Sequence, residues 1–284
     1  MKAMVLTGIR QMEMREVPDP VLSDPRDVKI KLLVLGICGS DIHYYVSGRI
    51  GSQVVSYPFT VGHESAGVVV ETGKAVTRVK EGDIIAVEPA MWCGNCDQCL
   101  AGRHHTCRRL KFLGCPGQAE GALSEYIVMP ENSCFPLPAN LNPDHGAISE
   151  PLSIGLYSVK KAGDIRNSDI AILGYGPIGM SVMLAAKTRG AASINVTDKI
   201  ESRLAIAEKE KASYTGNPLK NDIVQEILRS KPLGIDVVFE CCGQQAALDQ
   251  GVRLLKPGGA LLLVGIPEEA RVSFDIEQIR RREL

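Results

Sequence analysis

The pattern of apolar and polar residues changes character about half-way along the chain. Before residue 150, short apolar runs are separated by frequent Gly and Pro, and residues 28–34 alternate in their first half, as a half-buried strand does. Residues 68–71 and 84–87 are predicted to form further strands. From Asp169 onward, continuous apolar runs alternate with helical patterns, which is typical of buried parallel strands. The pattern predicts an α/β chain with a β-rich domain over 1–150 and a doubly wound parallel sheet over 151–284.

The second half opens with a glycine-rich turn between a predicted strand and a predicted helix. The apolar run 170–173 leads into Gly174, Gly176 and Gly179, spaced G-x-G-x-x-G, and the next strand ends in Asp198. In this frame the glycines allow a pyrophosphate to approach the backbone at a helix N-terminus. Asp198 would bond the ribose hydroxyls, which favours NAD over NADP, although basic neighbours can admit a 2′-phosphate.

The later strands of this half predict where the nicotinamide end of the ligand lies. Strands are predicted over 235–240 and 260–264, and a helix over 246–255 is predicted to stop at the Lys-Pro-Gly-Gly turn 256–259. Ligands of doubly wound sheets lie beyond the carboxyl ends of the strands, so residues 264–266 are predicted to lie near the nicotinamide. Cys241 and Cys242 are interpreted as core residues.

Size and composition favour a two-domain globular protein. The chain has 284 residues, 45% of them hydrophobic, and a formal net charge of -1. Nothing in this balance indicates a nucleic acid or an anionic membrane as a partner. The longest apolar run, 260–266, is too short to span a bilayer, and the N-terminus runs directly into a strand-like pattern. A cytoplasmic location is the expectation.

Four cysteines form the strongest local motif. The chain has nine cysteines, an odd number that argues against a disulfide framework. Cys93, Cys96, Cys99 and Cys107 follow the spacing C-x2-C-x2-C-x7-C, which suits a closed tetrahedral zinc site of structural function. An iron–sulfur cluster is the alternative. His104 and His105 lie inside this loop and are interpreted as solvated surface residues.

A second group of metal-ligand residue types occupies the first half. His63 and Glu64 are adjacent within the glycine-bracketed segment 62–67, interpreted as a strand entering a turn, and Cys38 lies upstream in a polar turn. Thiolate, imidazole and carboxylate are ligands that zinc accepts. The sequence therefore predicts a catalytic zinc to which the second half presents a nicotinamide. Each residue also has a structural alternative, Cys38 as a core thiol above all.

Glu150 is a further candidate with an alternative reading. It precedes Pro151 in a segment predicted to be helical as far as Lys161, so it is placed in the first helical turn. An acid there is also favoured by the helix macrodipole alone.

These motifs, in this order and spacing, resemble the zinc-dependent medium-chain alcohol dehydrogenases, most closely the sorbitol and polyol dehydrogenase branch. The resemblance extends along essentially the whole chain and is most specific at four segments: 36–45, 62–64, 148–153 and 176–180. It implies a β-rich GroES-like catalytic domain and a Rossmann domain that binds NAD. It also implies two zinc ions, one catalytic and one in the four-cysteine loop.

The resemblance implies roles at the catalytic zinc. Cys38, His63 and Glu64 would hold the ion, with Glu150 as a further ligand or bound through the metal's water. Asp41 would orient His63 as an outer-shell partner.

The resemblance also implies substrate and cofactor contacts. Ser40 would bond the reacting oxygen, His43 would continue a proton path to solvent, and Tyr44 would touch the polyol. The NAD contacts implied by the glycine turn and the later strand ends are Gly174, Gly176, Ile178, Gly179, Asp198, Arg203, Val264, Gly265 and Ile266.

The implied reaction is oxidation of a secondary alcohol of a polyol to a ketose, with hydride transfer to NAD. An L-threonine dehydrogenase-like enzyme is the alternative within the fold, and a catalytically silent protein that binds NAD and zinc is the alternative from another class. Family chains continue past a segment like 280–284 with a further strand and an arginine–tyrosine pair. The Rossmann domain is therefore expected to be C-terminally incomplete here. Full-length relatives are homo-oligomers, and the further strand usually builds their dimer interface. The oligomeric state of this chain therefore stays open.

Overall fold

The protein consists of two compact units. The computed structural model describes residues 1–267 and 269–284. Within them the chain divides into Met1–Glu150 and Pro151–Leu284. One helix, α3 (Pro143–Lys161), contains the division. Among the described residues, no helix combines the length and apolar character needed to cross a lipid bilayer.

The first unit is built mainly of short strands. Its strands and helices before α3, with two 3-10 turns at His104–Thr106 and Glu131–Ser133, are β1 (Lys2–Gly8), β2 (Gln11–Glu16), β3 (Asp27–Gly36), α1 (Gly39–Ser47), β4 (Arg49–Ile50), β5 (Gln53–Val54), β6 (Glu64–Thr72), β7 (Ile84–Val87), β8 (Ala90–Met91), α2 (Asp97–Leu100), β9 (Lys111–Phe112), β10 (Tyr126–Pro130) and β11 (Cys134–Pro136).

An antiparallel sheet in the order β10-β3-β6-β7-β11 forms the centre of this unit. Alternating residues of its strands, such as Val28 and Ile30 on β3, are fully buried, while Lys31 is exposed. The buried set forms one cluster with residues of the neighbouring strands, including Val69, Ile85 and Met129. Period-two alternation therefore packs one face of the sheet, as the sequence predicts.

The second unit alternates strands and helices. After α3 its elements are β12 (Asp169–Leu173), α4 (Pro177–Thr188), β13 (Ser193–Thr197), α5 (Glu201–Lys209), β14 (Tyr214–Gly216), α6 (Ile223–Ser230), β15 (Ile235–Glu240), α7 (Gln245–Leu254), β16 (Leu255–Leu263) and α8 (Ile276–Arg282).

The strands of this unit form a parallel sheet in the order β14-β13-β12-β15-β16 with a core on each face. On β12, Ile170 and Ile172 belong to a cluster with residues of α4 and α5. The alternate residues Ala171 and Leu173 belong to a second cluster with residues of α6 and α7. Both faces of the strand are buried, which is why its sequence is continuously apolar. The predicted α/β class is confirmed, with an antiparallel sheet in the first unit and a parallel sheet flanked by helices in the second.

Three boundaries differ from the sequence interpretation. His63 lies before β6 and Glu64 begins it, so the segment is a loop entering a strand and not a strand entering a turn. Helix α3 begins at Pro143, which places Glu150 and Pro151 inside the helix. Strand β16 begins immediately after α7, so the predicted turn 256–259 belongs to the strand. Pro257 is compatible with its position because β16 is an edge strand and its pairing with β15 is irregular between Leu255 and Ala260.

Candidate active site and metal centres

The pairing of β3 with β6 brings three candidate ligands together. Gly36, at the end of β3, pairs with Glu64, at the start of β6. Cys38 lies two residues after Gly36 and is the N-cap residue of α1. His63 directly precedes Glu64. One ligand atom from each of Cys38, His63 and Glu64 lies within 4.8 Å of the other two.

Gly36 is required by the position of the Glu64 side chain. A Cβ atom at residue 36 would lie 2.2 Å from Glu64 Oε2 and 3.0 Å from Glu64 Cβ. The carboxylate is therefore packed directly over the backbone of β3. Any side chain at this position would displace a candidate ligand.

Asp41 ties the two ligand-bearing loops to each other. Its carboxylate is buried and accepts the backbone N–H of Cys38 on Oδ2 at 3.0 Å and that of Gly62 on Oδ1 at 3.0 Å. Oδ1 lies 3.7 Å from His63 Nδ1. Asp41 thus fixes the backbone on both sides of the group and lies beside the imidazole, and its role in orienting His63 stays a prediction.

Burial and crowding of acids oppose the charged forms of these groups. Burial raises the pKa of the Cys38 thiol to about 11, although hydrogen bonds from Ser40 act in the opposite direction. Burial raises the pKa of Glu64 and lowers that of His63. A divalent cation reverses this balance, because it stabilises thiolate, carboxylate and neutral imidazole as ligands.

Glu150 lies near these acids but outside the three-atom ligand group. Burial, followed by the charges of Glu64, Glu88 and Asp41, raises its pKa to about 7. It is therefore part of the same negative environment. Its predicted role as a direct ligand stays a prediction.

The donor set fits a zinc ion with one open position. Zinc is held at about 2.0–2.3 Å by nitrogen, oxygen and sulfur ligands, usually in a tetrahedron. Three ligand atoms within 4.8 Å of one another can lie around one such ion. Three protein ligands leave the fourth position for a reacting oxygen, which is the arrangement of catalytic zinc sites.

Helix α1 carries the other predicted residues of this site. Ser40 hydrogen bonds to the Cys38 sulfur, and His43 is partly exposed one turn further along the helix. Tyr44 is 4% exposed and its hydroxyl donates to Gln53 Oε1 at 3.0 Å. It packs in an apolar cluster with Phe59 and other residues. The hydroxyl of Tyr44 is therefore already engaged inside the protein, and its contact with substrate stays a prediction.

Phe112 is a neighbour of the site that the sequence did not single out. Its ring meets the His63 ring edge-on, with centroids 5.4 Å apart and planes at 64°. It lies on β9, far from His63 in the chain. The position of Phe112 shortly after the cysteine motif does not indicate in the sequence that its ring will contact His63.

The four cysteines of the loop also converge. The sulfurs of Cys93, Cys96, Cys99 and Cys107 all lie within 4.8 Å of one another, with Cys93 to Cys99 at 4.0 Å and Cys96 to Cys107 at 3.9 Å. A zinc–sulfur distance of about 2.3 Å gives tetrahedron edges of about 3.8 Å, whereas a disulfide would need about 2.05 Å. The spacing fits a single ion better than an iron–sulfur cluster, which places several metal atoms between its cysteines.

Hydrogen bonds, an ion pair and a ring contact within the loop stabilise the arrangement of the four cysteines. The backbone N–H of Asn95, followed by other hydrogen bonds, lowers the pKa of Cys93 to about 6. Asp97 and Arg108 form a two-bond ion pair at 2.5 and 2.9 Å. His104 is exposed, as predicted, but its ring stacks on Trp92 with centroids 4.0 Å apart.

In the second unit the glycine turn joins β12 to α4. A Cβ at Gly179 would lie 2.1 Å from Gly174 O, so the helix approaches the strand end as closely as the motif requires. Gly176 is the N-cap of α4 and Pro177 is its first residue. A Cβ at Gly176 would meet nothing nearer than Arg203 Nη1 at 3.6 Å, so this side of the turn is open.

Asp198 lies at the end of β13 beside this turn. It is 7% exposed, and it accepts the backbone N–H of Tyr175 at 2.7 Å and that of Ile200 at 2.8 Å. Arg203 Nη1 lies 3.5 Å from the carboxylate. The acid therefore also shapes the glycine turn itself, and its contact with a ribose stays a prediction.

The last predicted cofactor residues follow β16. The N–H groups of Val264 and Gly265 both donate to the backbone oxygen of Glu240, at 2.8 and 2.9 Å. Cys241 is partly buried against the core, whereas Cys242 is exposed. The core interpretation is therefore wrong for Cys242, because the chain leaves the sheet at this point.

Comparison with known proteins matches both halves of the chain. Residues 24–139 match the model of the alcohol dehydrogenase GroES-like domain, and residues 177–284 match that of zinc-binding dehydrogenases. The sorbitol dehydrogenase of Bacillus subtilis (strain 168) is 37% identical over 285 aligned positions, covering 100% of this chain and 80% of the relative. D-xylulose reductase A of Aspergillus niger is 35% identical, covering 99% of this chain and 79% of the relative.

A solved structure agrees with these matches. A protein of Sinorhizobium meliloti 1021, described as a zinc-binding dehydrogenase and bound to NADP, has a TM-score of 0.87 and 35% identity. The match covers 100% of this chain and 82% of that one.

The chain belongs to the zinc-dependent medium-chain alcohol dehydrogenase family. It is accordingly an enzyme of the dehydrogenase class, and its family uses zinc and a nicotinamide cofactor. The resemblance inferred from the sequence is confirmed.

Replacing Gly36 by alanine should weaken metal binding at the Cys38 site of this dehydrogenase. The added Cβ would displace the Glu64 carboxylate, and losing one well-placed ligand should lower zinc affinity at least about tenfold. The measurement is zinc retention during titration with a chelator. Gly39→Ala is the matched control, because a Cβ there meets nothing within 4 Å. Equal zinc affinity in both variants would contradict the geometry described for Gly36.

Proposed function

We propose that the protein oxidises a secondary alcohol of a polyol to a ketose and transfers the hydride to NAD. The observation that carries this proposal is the group of Cys38, His63 and Glu64, three zinc-ligand types within 4.8 Å. The names of its relatives supply the substrate class, because sorbitol is a polyol and D-xylulose is a ketose, the two sides of the proposed reaction. Residues 1–150 would form the catalytic domain and residues 151–284 the NAD-binding domain.

In this proposal Cys38, His63 and Glu64 hold the catalytic zinc. Asp41 keeps both loops in place through the two backbone N–H groups that it accepts. Glu150, in the same negative environment, contacts the ion directly or through water. A divalent cation here would stabilise the charged forms of Asp41, Glu64 and Glu150, whose pKa values burial raises.

When bound, zinc would act as a Lewis acid on the substrate hydroxyl, and the nicotinamide would accept the hydride. The protein's own residues then position the alcohol and move its proton. Ser40 Oγ, beside the Cys38 sulfur, would accept a hydrogen bond from the reacting hydroxyl and would release its own proton as that proton arrives, so that it stays neutral. His43, partly exposed on the same helix, would pass the released proton to solvent.

The second unit would bind the cofactor along its strand ends. The open side of Gly176 at the N-terminus of α4 suits the pyrophosphate. Asp198 would accept hydrogen bonds from the ribose and repel a 2′-phosphate, which favours NAD. Arg203 lies close to both residues and can partly offset that repulsion. We infer NAD as the preferred cofactor, although one similar structure carries NADP.

The first test is NADH formation by the purified chain with added zinc on sorbitol, xylitol and L-threonine in parallel. Turnover on the polyols and not on threonine is expected. Turnover on threonine alone would replace the polyol assignment by a threonine dehydrogenase-like activity. Tight NADH binding without turnover on any of the three would favour a catalytically silent protein.

Cys38→Ala should abolish turnover and leave NADH affinity within about threefold of wild type, because it removes a zinc ligand and leaves the sequence of the glycine turn unchanged. Turnover is followed by NADH absorbance and binding by fluorescence titration. Cys134→Ala is the matched control, since Cys134 is a fully buried thiol in the core of the same unit. Retained activity in Cys38→Ala would show the ligand assignment to be wrong.

Cys107→Ser should release the zinc of the four-cysteine loop and lower the melting temperature by roughly 5 °C or more, because the loop depends on the metal for its structure. Zinc content per chain and thermal unfolding are the measurements. In the reciprocal variant, Cys38→Ser, the other zinc should be lost while the loop ion is retained. Loss of both ions from either single variant would contradict two independent sites.

A further inference from the structure

Glu240 is a buried acid that the proposed reaction does not use. It is the last residue of β15 and is 1% exposed. Its Oε1 atom accepts the backbone N–H groups of Cys242 at 2.8 Å and Gly243 at 2.7 Å. Its backbone oxygen accepts those of Val264 and Gly265. One residue therefore binds four N–H groups in two different turns, the turn after β15 and the turn after β16.

The two turns touch each other at backbone distance. A Cβ at Gly265 would lie 2.2 Å from Gly243 N and 2.9 Å from Glu240 Oε2. A Cβ at Gly243 would lie 2.2 Å from Ile266 O. Neither position leaves room for a side chain, so the turns have one mutual arrangement.

The turn after β15 also meets the glycine turn after β12. A Cβ at Gly174 would lie 2.8 Å from Cys242 Cβ, and Cys241 donates its N–H to Leu173 O at 2.8 Å. The ends of β12, β15 and β16 are neighbours in the sheet, and their turns form one continuous layer. In doubly wound sheets the ligand lies against this edge.

Burial of a carboxylate has a high free-energy cost unless the group is well hydrogen-bonded. A smaller polar residue could close the turn after β15 at a lower cost, so the presence of Glu240 needs a further explanation. Its two acceptor functions, side chain and backbone, are directed to separate turns. Because one residue binds both turns, it fixes the position of the turn after β15 relative to the turn after β16, in addition to the shape of each turn.

We propose that Glu240 is a positioning residue for the dinucleotide: it holds the turns after β15 and β16 in the arrangement that the cofactor requires. This inference rests on the nicotinamide cofactor of the proposed function. It adds a residue that is not itself expected to touch the cofactor.

The test compares Glu240→Ala with Glu240→Gln. Alanine leaves the N–H groups of Cys242 and Gly243 without their acceptor, and NADH affinity should fall about tenfold to a hundredfold. Glutamine retains a carbonyl oxygen in the same place and should restore affinity to within about threefold. Fluorescence titration with NADH measures both without requiring turnover.

Amide hydrogen exchange supplies a local readout. In Glu240→Ala, exchange should accelerate at Cys242 and Gly243, which lose their acceptor, and accelerate less at Gly265, which keeps the backbone oxygen of residue 240; it should stay unchanged at the four-cysteine loop. In Glu240→Gln, protection should return. Gly265→Ala should weaken NADH binding similarly, because its Cβ separates the same two turns.

Asn195→Ala is the matched control for general destabilisation. Asn195 is also 1% exposed in this sheet, and its side chain donates to Ile170 O at 2.9 Å inside the strands. It should lower the melting temperature comparably and leave NADH affinity unchanged. If Asn195→Ala and Glu240→Ala weaken binding equally, or if Glu240→Ala binds NADH as wild type does, the inference fails. A wild-type chain that does not bind NADH overturns the proposed function, and the inference with it.

Discussion

The antiparallel pairing of β3 with β6 is the constraint on which the metal-ligand group depends. With Gly36 opposite Glu64, the residues just beyond β3 and just before β6 must meet. Asp41 then binds a backbone N–H on each side, so the meeting point is fixed by hydrogen bonds as well as by register. A slip of one residue would turn Glu64 to the other face of the sheet and separate it from Cys38.

In the second unit, the position of the candidate cofactor site depends on a different constraint, the burial of both faces of its parallel sheet. Its parallel strands bury both faces, which leaves the strand ends as the places where polar groups and turns can be exposed to a ligand. The glycine turn, Asp198 and the turns around Glu240 all occupy such ends. Backbone contacts among these turns make the edge a continuous surface of defined shape and not a set of independent loops.

Much of this organisation could be predicted from the sequence, because motif spacing and periodicity are local signals. The four cysteines are informative through their spacing, and the glycine turn is informative together with the apolar run 170–173 before it and Asp198 after the next strand. These signals together predict the family and the α/β class, and both predictions are confirmed. The start of α3 was missed since Pro151 suggested a helix beginning, although a proline can be accommodated inside a long packed helix.

Contacts between distant segments could not be predicted in the same way. Phe112 against His63 and Tyr44 against Gln53 depend on how loops fold over one another, and no spacing rule reports that. The exposure of Cys242 was misjudged because an apolar run gives no sign of the residue at which a chain leaves its sheet. Asp198 was anticipated as a ligand contact, but its hydrogen bonds within the turn appear only in three dimensions.

The absence of a side chain at Gly36 has a consequence for how such a protein can evolve. The space that a Cβ would fill is occupied by the carboxylate of Glu64, so the two positions share one volume. The constraint acts in one direction: a larger residue at 36 becomes tolerable only after the acid at 64 has been shortened or replaced. A lineage that exchanged this ligand for a smaller one would be freed from glycine at 36, and the order of the two substitutions would be fixed by sterics.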